Sequence, residues 1–343
     1  MPLTTLRPLH LGEVEMTARA AIPTRTVEKE QIKSATELIS KLRDSVETVI
    51  FGKSNVVELA IISLLARGHI LLEDVPGVGK TVLAKALARS VSGDFQRIQC
   101  TPDLLPSDVT GTFVYNQASG EFSFRAGPIF GNFILADEIN RATPRTQSAL
   151  LECMEESQVT VERETMPLPR VFQVIATQNP VEFQGTYPLP EAQKDRFLMR
   201  LKLGYLTIEK EVEMSRGQMR THPIENLEPV LSIDEVVILQ DLVTQIYIDK
   251  AVSDYLVRVV HETRKDPNIL LGSSPRGSLG LMRASQAMAL VRGREFVIPD
   301  YIRQLAVPIL GHRMILKPQA QYAEGALEEV IFDILARVNP EKK

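Results

Sequence analysis

Apolar residues recur along this chain in two rhythms, one helical and one of short, nearly continuous runs. Ile32, Leu38, Leu42, Val46 and Val49 fall at helical spacing, which predicts order from about Gln31 and a helix stopped by Gly52. Residues 1–30 carry Pro2, Pro8 and Pro23 with no sustained period, the pattern of a mobile extension. Val56 to Ala66 is apolar nearly all round and predicts a buried helix. Short runs then alternate with helical stretches: strand Ile70 to Leu72, helix Thr81 to Ser92, strands Phe95 to Cys100 and Phe133 to Ala136, helix Thr146 to Glu156, and strand Val171 to Ala176. Such alternation predicts an α/β fold, a parallel sheet with helices on both faces.

Two stretches interrupt this rhythm. Thr112 to Phe124, around Ala118-Ser119-Gly120, and Gln158 to Phe172, around Arg163-Glu164, read as inserted hairpins. Pro190 to Phe197 leads into an alternating strand, Leu198 to Leu203. Past Gly204 the strand signals fade. Glu209 to Thr221, Ile233 to Ile246, Ser253 to Arg264, Ser278 to Val291, Pro299 to Leu310 and Ala326 to Val338 predict a helical second domain over 205–343, following a first over 31–204.

Composition narrows the function classes. A formal charge of −4 over 343 residues leaves no polycationic footprint, so nucleic acid is not the expected partner. No stretch approaches the roughly 20 apolar residues of a membrane span, and the N-terminus lacks the apolar core of a signal peptide, which together suggest a cytoplasmic protein. Cys100 and Cys153 are too few for a metal site and read as buried, reduced fillers.

The chemistry sits at strand ends. Residues 70–81, ILLEDVPGVGKT, run from an apolar strand into a glycine-bearing loop ending in Lys80 and Thr81, the layout of a nucleotide phosphate cradle. Gly77 and Gly79 let backbone N–H groups turn inward, Lys80 can neutralise phosphate, and Thr81 can ligate Mg²⁺. Pro76, Val78 and Val82 complete the candidate loop. Asp74 occupies the position where GxxxxGK[ST] has its first glycine. A second segment, FILADEINR at 133–141, delivers Asp137 and Glu138 from a buried strand, suiting Mg²⁺ coordination and water activation respectively. Asn179, after the strand ending near Ala176, would lie beside this pair if the two strands are neighbours. Arg196 sits at the rim of the sheet, and Arg276 in SSPRG opens a helix.

Taken together, LLEDVPGVGKT, RIQCTPDLLPSDVTGT, GPIFGNFILADEINRA, TQSALLECMEE, VIATQNPVEFQGTYPLPEAQKDRF and SPRG resemble the AAA+ ATPases, and among them the MoxR family, from about Val49 to Arg276. The resemblance implies a P-loop αβα sandwich with a helical C-terminal lid, and Asp74 is usual in that family. It makes Asn179 the sensor-1 residue, Arg196 a finger supplied to a neighbouring subunit and Arg276 the sensor-2 residue, and it sets Ile50, Phe51 and Gly52 beside the adenine. It implies ATP and Mg²⁺ as cofactors, a hexameric ring, and chaperone-like work with proteins carrying von Willebrand factor A domains. Cys100 and Cys153 depart from the family pattern, outside the chemistry. The competing reading is an ATP-assembled scaffold with little turnover; no guanine-reading Asn-Lys-x-Asp segment supports a GTPase.

Overall fold

The computed structural model describes residues 27–117, 120–162, 164–180, 185–217, 223–321 and 325–340. Most of the expected N-terminal extension, and the turn residues Ala118, Ser119 and Arg163, lie outside these. Helix α1 (Lys29–Glu47) begins two residues before Gln31, because the Glu28 N–H donates to Gln31 Oε1 at 3.2 Å and closes a capping box. Its buried stripe is Ile32, Ala35, Ile39, Leu42 and Val46, with Leu38 partly buried against the same core. The helix ends at Glu47, short of Gly52, whose φ of +63° instead turns the chain into α2 (Ser54–Leu65).

Next come β1 (Ile70–Glu73), α3 (Lys80–Ser90), β2 (Phe95–Gln99) and α4 (Pro106–Thr110). The first hairpin, β3 (Gly111–Asn116) with β4 (Glu121–Ala126), precedes β5 (Phe133–Asp137) and α5 (Pro144–Glu156). The second, β6 (Gln158–Val161) with β7 (Glu164–Pro167), precedes β8 (Gln173–Gln178), α6 (Glu191–Lys194) and β9 (Met199–Leu201). The sheet order is β2-β5-β8-β1-β9, with every pair parallel. Strand β8 runs two residues later than the apolar run suggests, since Thr177 and Gln178 pair with Leu72 and Glu73. A backbone ladder does not require apolar side chains.

Alternate residues of the sheet face opposite layers. Leu71, Ile134, Ala136, Val174 and Ala176 pack with Leu150 and Leu151 of α5. Ile70, Leu72, Phe133, Leu135 and Ile175 join a second core with α1, α2 and α3. After α7 (Ile208–Gly217), which contributes no buried residue, that second core continues into the C-terminal half through α8 (Ile233–Val243), α9 (Lys250–Thr263), β10 (Ile269–Leu271), α10 (Pro275–Val291), α11 (Pro299–Leu310), β11 (Ile315–Leu316) and α12 (Ala326–Arg337). Caps move several onsets ahead of the apolar stripe: Thr143 for α5, Asp249 for α9 and Ser274 for α10 each accept an N–H from the first turn. The tail of the helix expected to reach Thr221 lies outside the described residues. Strands β10 and β11 add an antiparallel ribbon to the helices.

Candidate nucleotide site

The parallel order brings the C-terminal ends of β5, β8 and β1 to one edge, and the sequence candidates gather there. Between β1 and α3 the loop curls through Gly77 at φ +85° and Gly79 at φ +98°, conformations that side-chain-bearing residues rarely adopt. A Cβ on either glycine would meet no atom within 4 Å, so it is backbone conformation and not crowding that calls for glycine at both positions. Lys80 Nζ donates to the Asp74 carbonyl at 2.6 Å, and Thr81 is the second residue of α3, whose N-terminal end faces the loop.

Asp137 closes β5, and Thr177, opposite it on β8, donates its hydroxyl to Asp137 Oδ1 at 2.7 Å. The same hydroxyl oxygen accepts the Glu138 N–H at 2.8 Å. Glu138 has a left-handed backbone (φ 56°, ψ 52°), an uncommon state for a residue of its kind. Two arginines attend the pair: Arg97 donates to Asp137 Oδ2 at 2.6 Å and Arg141 to Glu138 Oε2 at 2.9 Å, while Gln99 Nε2 also reaches Glu138 at 3.3 Å. Asn179 lies buried just beyond β8, the strand that neighbours β5.

The donor set fits a magnesium nucleotide. Threonine and carboxylate oxygens suit a hard cation, and no group of three His, Cys, Asp or Glu side chains among the described residues could cage one unaided. A cation here would therefore lean on nucleotide phosphates. Ile50, Phe51, Pro76, Gly77, Val78, Gly79 and Val82 share the wall of one cavity of about 440 Å³, completed by Lys53, Gly204, Tyr205 and Met214. Sequence reasoning missed the second group, whose only signal was the domain boundary drawn at Gly204.

Arg196 and Arg276 stand elsewhere. Both pair with Glu155 at the end of α5, Arg196 Nε at 3.1 Å from Oε2 and Arg276 with Oε1. They line a different cavity, of about 680 Å³, together with Arg67, Arg170, Arg283 and Arg313. The structure thus joins Arg276 to Arg196 and leaves it off the wall of the phosphate-loop cavity. Glu155 and Thr177 are the polar residues that periodicity could not single out.

Cys100 and Cys153 are buried and free, as expected. Burial first, then the Asp137 and Glu138 charges, push the Cys100 thiol up to about 12, and burial pushes Cys153 up to about 11. Neither can act as a thiolate near neutral pH. Among the described residues no helix is long and apolar enough to cross a membrane.

A phosphate-type loop, an acidic strand end and a helical second half define a P-loop nucleotide-binding protein of the AAA+ kind. Residues 69–199 match the model of the ATPase family associated with various cellular activities, and 261–333 match the AAA lid domain. The chain is 51% identical to Bacillus subtilis YeaC, an uncharacterised protein, covering 88% of this chain and 94% of that one. It is 43% identical to the chaperone MoxR1 of Mycobacterium tuberculosis, over 85% and 80% respectively. A crystal structure of a candidate ATPase from Cytophaga hutchinsonii superposes with a TM-score of 0.84 at 40% identity, covering 91% of this chain and 97% of that one. The chain belongs to the MoxR family of AAA+ ATPases.

Proposed function

We propose that this protein binds Mg²⁺·ATP in the loop between β1 and α3, hydrolyses it, and uses the cycle for chaperone-like remodelling of other proteins. The observation that carries the reading is the convergence of the glycine loop, Asp137, Glu138 and Asn179 at one edge of the sheet. Loop N–H groups and Lys80 hold the phosphates, and Thr81 and Asp137 hold the cation, which supplies charge neutralisation there. Glu138 takes the proton of the attacking water, a role that contributes on the order of 10²–10⁴ in rate. Asn179 orients that water.

Arg196 completes the site of a neighbouring subunit, so the working form is a ring, taken as a hexamer. Its shared carboxylate with Arg276 supports treating both arginines as one group offered across the interface. A client bearing a von Willebrand factor A domain is the partner that the family likeness suggests. A second reading, an ATP-assembled scaffold with slow turnover, draws support from the arginines held on both catalytic carboxylates.

Steady-state ATP hydrolysis against protein concentration, with mass measured in parallel, separates the two. Specific activity that rises with assembly, and is lost in Glu138→Gln while ATP binding persists, is the expected result. A flat, near-zero rate in assembled, ATP-bound protein would favour the scaffold.

A further inference from the structure

Asp74 stands where the general phosphate-loop pattern has glycine, yet its backbone is not among the positive-φ residues, so no glycine is needed there. Its side chain has taken on other work. Oδ1 accepts the Val75 N–H at 2.8 Å, inside the phosphate loop, and Oδ2 accepts the Gly204 N–H at 2.6 Å, where the chain leaves the sheet for the second half. The Asp74 N–H donates to the Gln178 carbonyl at 3.2 Å, one residue before Asn179. Its carbonyl receives Lys80 Nζ. One residue therefore touches the loop, the phosphate-seeking ammonium, the end of β8 and the exit segment.

That exit segment forms part of the nucleotide cavity. Gly204, at φ +63°, and Tyr205 line it, and Lys53 Nζ donates to the Tyr205 carbonyl at 2.7 Å on the same side. Beyond it α7 carries no buried residue, so little packing holds α7 in place. A bound phosphate draws the Lys80 ammonium toward itself, and any movement of that group is felt at the Asp74 peptide. The carboxylate on the same residue, bonded to the Gly204 N–H, is the route by which such a shift would reach Gly204.

We propose that Asp74 is a positioning residue that couples phosphate binding to the placement of residues 204–217, a role that rests on the nucleotide reading above. A carboxylate is required because two N–H donors must be met by two acceptor oxygens. Asparagine would present an amide donor to one of them, and glycine would leave both without a side-chain acceptor.

Hydrogen exchange over 204–217, read with and without saturating ATPγS, tests the proposal without relying on hydrolysis. In the native protein ATPγS should slow exchange in this segment. In Asp74→Asn and Asp74→Gly the Gly204 amide should exchange fast and the nucleotide-dependent slowing should vanish, although ATPγS binds within about threefold of the native affinity because the loop N–H groups remain. The ATPase kcat of Asp74→Asn should fall about tenfold with KM little changed, the effect of one lost charge-assisted contact. Native exchange in both variants overturns the proposal, and so does a native protein that binds ATPγS with no change over 204–217, a result independent of whether either variant folds. A native protein that binds no ATPγS overturns the nucleotide reading itself.

Discussion

Asp137 and Glu138 are adjacent in sequence but differently held. Asp137 ends a strand in regular geometry and shares its oxygens between Thr177 and Arg97, whereas Glu138 turns into a left-handed backbone with its carboxylate toward Arg141. Regular strand alternation alone would aim the two carboxylates at opposite faces of the sheet, whereas Arg97 and Gln99, hydrogen-bonded to each other at 2.7 Å, link Asp137 to Glu138. Deeper in the sheet His69 shows how burial fixes a protonation state. Its Nδ1 accepts the Val174 N–H at 3.0 Å, so Nε2 carries the proton it donates to the Met154 carbonyl, and burial lowers its pKa to about 4. The unfolded chain therefore binds this proton between about pH 6.5 and 4 while the folded one does not. Stability should fall across that window, by roughly 3 kcal/mol from His69 alone. Buried His312, also held neutral by desolvation and by Arg313, acts in the same direction. Urea titrations between pH 7 and 4 should show the midpoint falling; a flat midpoint would mean that neither ring is buried neutral.

At the scale of elements, the hairpin of β3 and β4 divides into a tight neck and an open tip. Gly127 follows β4 beside Gly111, and a Cβ there would lie 2.3 Å from the Val109 carbonyl oxygen. Gly127→Ala should therefore cost roughly 1–3 kcal/mol through forced backbone movement. Phe122 is 69% exposed and meets the Tyr115 ring at a tilt, with centroids 5.2 Å apart, so Phe122→Ser should cost under about 1 kcal/mol. Denaturant melts of the two variants decide this, and equal losses would show that the tip is packed. The hairpins were legible in the sequence because their β-rich pieces flank turn residues. Helix α11 was legible to the residue because Pro299 opens it and Gly311 follows it. The ribbon of β10 and β11 was not, since strands of three and two residues are too short to show a period. Nor was the packing of α1 and α2 against the C-terminal helices, because periodicity shows that a face is buried and not what covers it. The phosphate loop and acidic pair were local patterns and readable; the meeting of Arg276 with Glu155, 121 residues apart, was not.

At the scale of the whole molecule, the segment that carries Arg196 is tied to the C-terminal half. Arg313, its side chain 3% exposed, pairs with Asp195 at 2.8 Å and donates to the Leu198 carbonyl at 3.1 Å. Burial lowers its pKa to about 10 against the opposing pull of Asp195, so it stays charged at neutral pH. Arg196 is thus held by rigid neighbours in a cavity separate from the phosphate loop of its own chain. On the proposed reading, a residue held away from the phosphate loop of its own chain serves hydrolysis in a neighbour's site. Arg196→Ala should therefore keep ATP affinity and lower kcat by on the order of 10³, at the low end for a supplied arginine. Glu138→Gln should be inactive for the opposite reason, having an arginine to give and no base of its own. Mixed in equal amounts, the two inactive variants would place an intact base against an intact arginine at roughly a quarter of interfaces by random assortment. Activity should reappear on mixing, in proportion to co-assembly measured by native mass. Co-assembled rings that stay inactive would show that Arg196 does not act across the interface, because every other component of those sites is present.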